Sequence, residues 1–169
     1  ECMEKNYGEE ESDYEKYVSR ICKKLKIDLL VPCVDEELVK FKMFNKRNPE
    51  TMIMVPENNY IETMIDKFKS MQLLKNKGIR VPKTYLVSQK PKIKTPFVIK
   101  PRWGRGSRDV KILKNLKDVN HYLKLTGLSE KNSVIQEKIS GKEYTVTMVA
   151  DRKKKLHKII PVLVDLKKG

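Results

Sequence analysis

Apolar positions along the chain change period several times, and the changes mark out its elements. From Asp13, Tyr14, Tyr17, Val18, Ile21 and Leu25 recur at helical spacing, with Ser12 or Asp13 placed to cap the first turn. Asp28 to Pro32 is then a short apolar run stopped by proline, the pattern of a parallel strand covered on both faces. Glu36 to Met43 reads as a short helix and Met52 to Val55 as another short strand, so the rhythm is that of an α/β layer. Asn58 or Asn59 can cap a long helix that runs to about Lys77, with Ile61, Met64, Ile65, Phe68, Met71 and Leu74 on its apolar face and Gly78 just past its end. Beyond it, Thr84 to Ser88, Phe97 to Pro101, Asp109 to Leu113, Ser133 to Ile139, Tyr144 to Asp151 and Leu156 to Leu166 all predict strands. One helix, about Leu116 to Leu125 after the cap candidate Asn115, interrupts them. Tyr144, Val146, Met148 and Ala150 alternate with Thr145 and Thr147, which predicts a half-buried antiparallel strand, and Asp151 to Lys155 supply its hairpin turn. The pattern is therefore α/β followed by α+β, without an internal repeat.

Charge changes this picture by raising a question of partners. Among 169 residues, 37 Lys and Arg face 22 Asp and Glu, a formal +15. Such a surplus suits either a nucleic-acid binder or a protein whose ligand is a polyphosphate. The lysines are spread along the whole chain, and the densest run, Arg152 to Lys155, falls in the hairpin turn, where a solvated loop is expected. No zinc-finger, homeodomain or RRM aromatic signature is present, and aromatic residues make up 7%. The grouped apolar runs exclude wholesale disorder. No apolar stretch approaches the roughly 20 residues that cross a bilayer, so a cytoplasmic protein without a membrane partner is expected. Cys2, Cys22 and Cys33 contain no C-x-x-C pair, which argues against a disulfide framework or zinc site, and nothing local supports a catalytic pair with His121 or His157. Glu1 at the start and a strand-like run that ends almost at Gly169 lead to the expectation of a piece of a longer protein.

Three stretches carry candidate chemistry. In Pro96 to Val110 a strand delivers Lys100, a loop with Gly104, Arg105, Gly106 and Ser107 follows, and a second strand leaves. Glycines let backbone N–H groups crowd around an anion that flanking cations neutralise. The loop is neither a Walker A motif nor G-x-G-x-x-G, and by itself it reads first as a hairpin turn. In Ser133 to Tyr144, Glu137 and Glu143 flank a Ser-Gly turn. A strand-to-strand linker can read a purine with backbone groups while a carboxylate accepts from two ribose hydroxyls, and the alternative is two solvated glutamates. The third stretch is Met64 to Phe68 followed by Gly78 to Pro82, where Lys67 can reach a phosphate or simply face solvent.

Together, in this order and spacing, the three stretches resemble the ATP-grasp family, and within it the carbamoyl-phosphate synthase large-chain and biotin carboxylase type. Members share a helix with Asp-Lys and a following Gly-x-x-x-Pro, a strand ending in Lys-Pro before a glycine-rich flap, and a Glu-x-x-x-Gly-x-Glu linker. The resemblance covers about Ile61 to Asp151. It implies that residues 1–57 are the end of a Rossmann-like pre-ATP-grasp domain and 58–169 an ATP-grasp domain, with a lid at about 84–139 and the start of a catalytic antiparallel sheet at 144–169. It further implies that Lys67 and Lys100 contact the ATP phosphates and that Gly104, Arg105, Gly106 and Ser107 form the flap over them. Glu137, Lys138 and Ile139 would then read adenine, and Glu143 would hold the ribose. Trp103 departs from the small residues usual in such flaps.

The implied cofactors are ATP and Mg²⁺. The family's late Glu-x-Asn metal signature is not found after Tyr144, so no metal residue is assigned, the ligands are expected outside this chain, and the chain alone is expected to be inactive. The implied activity is an ATP-dependent carboxylate-amine or bicarbonate ligase that forms an acyl phosphate, with a small carboxylate or bicarbonate and an amine-type acceptor as partners. Self-association into a homo-oligomer stays open. The rival readings are a basic nucleic-acid-binding domain, although a nucleic-acid partner is not expected, and a non-catalytic nucleotide-binding relative.

Overall fold

A computed structural model describes residues 13–41, 43–151 and 153–165; Cys2, Ser12, Arg152 and Leu166 lie outside them. The chain divides into two units, residues 1–137 and 138–169. The first opens with α1 (Asp13–Leu25), β1 (Leu29–Leu30), α2 (Asp35–Lys40), α3 (Phe44–Arg47) and β2 (Met52–Ile53). The strands β1 and β2 pair in parallel, as the α/β rhythm predicts. They do not form the covered strand expected from Asp28 to Pro32. Leu29 and Val31 stay 45% and 47% exposed, because among the described residues β1 has only β2 beside it. The core here is aromatic: Phe41 stacks on Tyr14 and meets Phe44 edge-on, and Cys22 and Ile53 close the cluster. The free thiol of Cys22 is buried in it, while that of Cys33 is exposed. α3 went unforeseen, since its four residues offer no helical period.

The single long helix expected from Asn58 to Lys77 is two helices, α4 (Asn58–Met64) and α5 (Lys67–Asn76). Asp66 lies between them with an extended backbone, and its carboxylate accepts hydrogen bonds from the N–H groups of Phe68 and Lys69. A side chain that caps the next helix competes with continuation of the previous one, so the apolar period crosses the break without showing it. Neither Asn caps α4: Glu57 occupies that position with no side-chain bond. The end of α5 is as expected. Gly78 adopts φ +75°, its N–H bonds to Lys75 C=O, and the Ile79 N–H bonds to Leu74 C=O, a complete Schellman closure.

Four antiparallel strands follow in the spatial order β3 (Thr84–Leu86), β6 (Ser133–Glu137), β4 (Phe97–Pro101), β5 (Lys111–Leu113), with α6 (Val119–Thr126) covering one face. The pleat sorts the side chains. Phe97, Ile99 and Ile135 go to the core with Val87, Val119 and Tyr122. Val98, Lys100, Gln136 and Thr84 take the other face, which is where the chemistry lies. β6 ends at Glu137, two residues before the expected Ile139.

The second unit is a hairpin of β7 (Tyr144–Ala150) and β8 (Leu156–Leu163), antiparallel in continuous register with one irregularity at Val149 and Ala150. Its turn is held by Asp151, whose Oδ1 accepts from the N–H groups of Lys153 and Lys155 and whose Oδ2 lies 2.9 Å from His157 Nε2. Lys153, Lys154 and Lys155 are exposed there, as a solvated turn requires. The half-buried face expected of Tyr144 to Ala150 is absent: every residue of both strands is exposed. Alternation reports which residues share a face, and a two-stranded ribbon leaves both faces open.

Ile99 is fully buried between sheet and α6. Ile99→Ala is expected to lower the unfolding free energy of the first unit by about 2–5 kcal/mol, measured by urea denaturation.

Candidate functional site

The polar face of the four-stranded sheet and the start of α5 bring two of the cations that the sequence singles out, Lys67 and Lys100, near one another. Lys67 is the first residue of α5, set there by the Asp66 cap. Its backbone N–H donates to Arg102 C=O at 3.0 Å and its Nζ donates to Gly104 C=O at 2.6 Å. Lys100, near the end of β4, donates from Nζ to Gln136 Oε1 at 2.7 Å, and Gln136 Nε2 passes the chain on to Thr84 Oγ1 at 2.8 Å. The two ammonium groups feel each other. Burial first, and the charge of Lys100 second, push the Lys67 amine below the ordinary lysine value, while Asp35 and Asp66 oppose the shift.

Residues 102 to 110 form the loop between the paired strands β4 and β5, much longer than a tight hairpin turn. Gly104 and Gly106 have φ of +99° and +68°, and Ser107 and Asp109 also lie in the left-handed region. Both ends are anchored. At the start, the Arg102 guanidinium reaches Asp66 through Nε at 3.0 Å and through its terminal nitrogen at 2.8 Å. At the far end, Tyr122 donates its hydroxyl to Asp109 C=O at 2.8 Å, and burial, aided by the Asp109 charge, pushes its pKa up to about 12. Trp103 is covered by the Arg102 guanidinium, 4.6 Å from the ring centroid, so packing within the loop accounts for the large residue at this position.

Arg105 does not turn toward the lysines. Its Nε lies 3.1 Å from Glu36 Oε2 on α2, and both side chains are about half exposed. The Glu36 carboxyl is held below its ordinary value by its own backbone N–H and then by Arg105, with Arg108 adding to the effect.

At the other edge of the sheet, Glu137 closes β6 onto Lys83: its N–H donates to Lys83 C=O at 2.9 Å and its carboxylate accepts from Lys83 N–H at 3.2 Å. Lys138, Ile139 and Glu143 belong to the second unit. Lys138 and Ile139 are exposed, and Glu143, just before β7, accepts the Val164 N–H at its C=O. Within the first unit, then, Lys67 bonds Gly104 and feels the charge of Lys100, while Arg105 and Glu137 are engaged elsewhere.

Sequence reasoning passed over Arg102, Gln136 and Glu36. Arg102 follows Lys100-Pro101 and could have been matched to the acidic Asp66, but no spacing rule pairs residues 36 apart. Among the described residues no group of three His, Cys, Asp or Glu side chains could hold a metal ion, and no helix is long and apolar enough to cross a membrane.

Residues 64–162 match the ATP-grasp domain family, and the chain belongs to that family. The D-alanine–D-alanine ligase of Petrotoga mobilis is 31% identical over 118 residues, which make up 69% of this chain and 36% of that protein. The crystal structure of a D-alanine–D-alanine ligase from Helicobacter pylori matches with a TM-score of 0.58 at 18% identity, over 76% of this chain and 43% of its own. The biotin carboxylase domain of a Hydrogenobacter thermophilus 2-oxoglutarate carboxylase, solved with MgADP, ADP and bicarbonate, matches with a TM-score of 0.68 at 15% identity, over 85% and 35%. At these identities the structural likeness is one of fold. The chain spans 36% of the length of the curated relative.

Lys67 holds fewer protons when folded than unfolded between its lowered pKa and the ordinary one, so the protein gains stability as pH rises through that alkaline window. Replacing Lys100 by Met removes the neighbouring cation and is expected to move the Lys67 midpoint back toward the ordinary value, read by ¹³Cε NMR titration. Glu36→Gln is expected to release Arg105 and speed tryptic cleavage after it, by no more than about fivefold because an exposed pair contributes ~1 kcal/mol at most.

Proposed function

We propose that this chain is the nucleotide-binding part of an ATP-dependent ligase, and that the polar face at Lys67 and Lys100 takes the triphosphate. The observation that carries this is that Lys67, at the start of α5, donates its Nζ to the carbonyl of the first loop glycine, Gly104, and stands close enough to Lys100 of β4 for that charge to lower its pKa. Cations on two rigid elements beside a glycine loop suit an anion with several charged oxygens.

Lys67 and Lys100 would bind the phosphates, and Gly104, Arg105, Gly106 and Ser107 would close over them. For Arg105 this means leaving Glu36, an exposed and weak pairing. Adenine would lie along Glu137, Lys138 and Ile139, with Glu137 fixing the start of the linker through Lys83, and Glu143 would accept from the ribose hydroxyls. The division into an ATP-grasp domain over 58–169, with its lid at about 84–139, and the end of a preceding domain over 1–57 belongs to the same proposal. So does a cytoplasmic setting, where ATP is supplied.

In the reaction, a carboxylate oxygen attacks the γ-phosphorus and the bond to the β–γ bridging oxygen breaks, with ADP leaving with the electron pair. An amine then attacks the acyl carbon, phosphate leaves, and the amine proton is lost to solvent. Magnesium, which would supply charge neutralisation between the phosphates, finds no carboxylate cluster among the described residues, so none of them is given that role. The chain's own residues bind the phosphates, orient them and keep water from the acyl phosphate under the flap. Likeness to a D-alanine–D-alanine ligase supports an amino-acid carboxylate and an amine acceptor. Likeness in fold to a biotin carboxylase domain and the carbamoyl-phosphate synthase type of motif order support bicarbonate. The first is favoured by the higher sequence identity.

Titration of the chain with MgATP is expected to show saturable binding, weakened at least tenfold by Lys100→Ala combined with Glu143→Ala, as loss of two charged hydrogen-bonding groups implies. Unchanged affinity in that double variant would sink the site assignment.

A further inference from the structure

One densely bonded carboxylate is neither in a core cluster nor among the residues assigned to nucleotide. Asp66 has a side chain 2% exposed. Its Oδ1 accepts from Phe68 N–H, Lys69 N–H and Arg102 Nε, and its Oδ2 accepts from Arg102 Nε and the terminal nitrogen at 2.8 Å. Arg102 is bound on every side. Its N–H donates to Asn132 C=O at 2.9 Å, its C=O accepts Lys67 N–H, and its guanidinium lies over Trp103 and Phe68.

We propose that Asp66 and Arg102 are positioning residues for Lys67, and that their pairing sets where its ammonium stands relative to the flap and to Lys100. This rests on the reading that Lys67 takes the phosphates. The contacts converge on one residue. Asp66 fixes where α5 starts and so makes Lys67 its first residue. The Arg102 carbonyl holds the Lys67 backbone, and two residues later the Gly104 carbonyl holds its Nζ. Rotation of α5, or a shift of the flap's first residues, would move the ammonium away from β4. A bidentate pair between a planar guanidinium and a carboxylate resists such a shift because it fixes direction as well as distance. An apolar pair of equal volume would fill the space without that constraint. Neither residue belongs to the clusters around Phe97 or Phe41, so the fold has other supports.

A double-mutant cycle separates positioning from general stability. MgATP affinity is measured by calorimetry for the whole chain, for Lys67→Ala, for Asp66→Asn and for the two combined. Asn still accepts at the helix start, so Asp66→Asn removes charge and bidentate pairing but keeps the cap. Arg102→Lys, which keeps charge and loses the fork, repeats the cycle and stands in if Asp66→Asn does not fold. Asp66→Asn is expected to weaken MgATP by about tenfold in the parent and by less than twofold when Lys67 is already Ala. An equal loss in both backgrounds, or none in the parent, overturns the positioning role while leaving the nucleotide site intact. No effect of Lys67→Ala itself, or no binding by the parent, overturns the nucleotide reading and this inference with it.

Discussion

The bidentate pair between Asp66 and Arg102 is the constraint on which the polar face of the first unit depends. A buried carboxylate is costly unless its oxygens are all engaged, and here helix N–H groups and one guanidinium share the task. That requirement breaks the helical run at Ile65, starts α5 at Lys67, and ties the helix to the end of β4. From it follow the approach of Lys67 to Lys100 and the anchoring of the flap at its first residues.

A site that gathers cations must also keep them apart until an anion arrives. Lys67 donates to a carbonyl, Lys100 to the amide of Gln136, and Arg105 to Glu36. These partners differ in strength. Carbonyl and amide dipoles soften the repulsion between the lysines without neutralising it, and burial first, with the Lys100 charge second, keeps the Lys67 amine below its ordinary value. The Glu36 pairing is exposed and so the weakest of the three, and its arginine lies on a loop with four positive φ angles between Gly104 and Asp109. In the proposed reading, lysines on α5 and β4 would form the fixed part of a phosphate receptor, and an arginine held by an exposed pair on the glycine loop would form its cover.

Much of this was legible in the chain. β4, β6, the closure of α5 at Gly78 and the pairing of β7 with β8 follow from period and turn chemistry, which act over a few residues. Two misses are local, the four-residue α3 and the cap at Asp66 that the apolar period runs across, while others depend on partners far away in sequence. Arg102 meets Asp66 across 36 residues and Arg105 meets Glu36 across 69. The same holds for burial. Alternation in Tyr144 to Ala150 showed two faces but could not say that both would stay exposed, nor did the apolar run at Leu29 reveal that only one strand would lie beside it.

The sequence by itself determined the order of helices and strands, the glycine loop after Lys100, and the motif order that places the chain among ATP-grasp domains, because each is written in local spacing. Only the tertiary structure decided which cations face one another and what holds them. Helix start, strand end and loop meet through one buried ion pair, and a pairing chosen by three-dimensional proximity leaves no periodic trace in the chain.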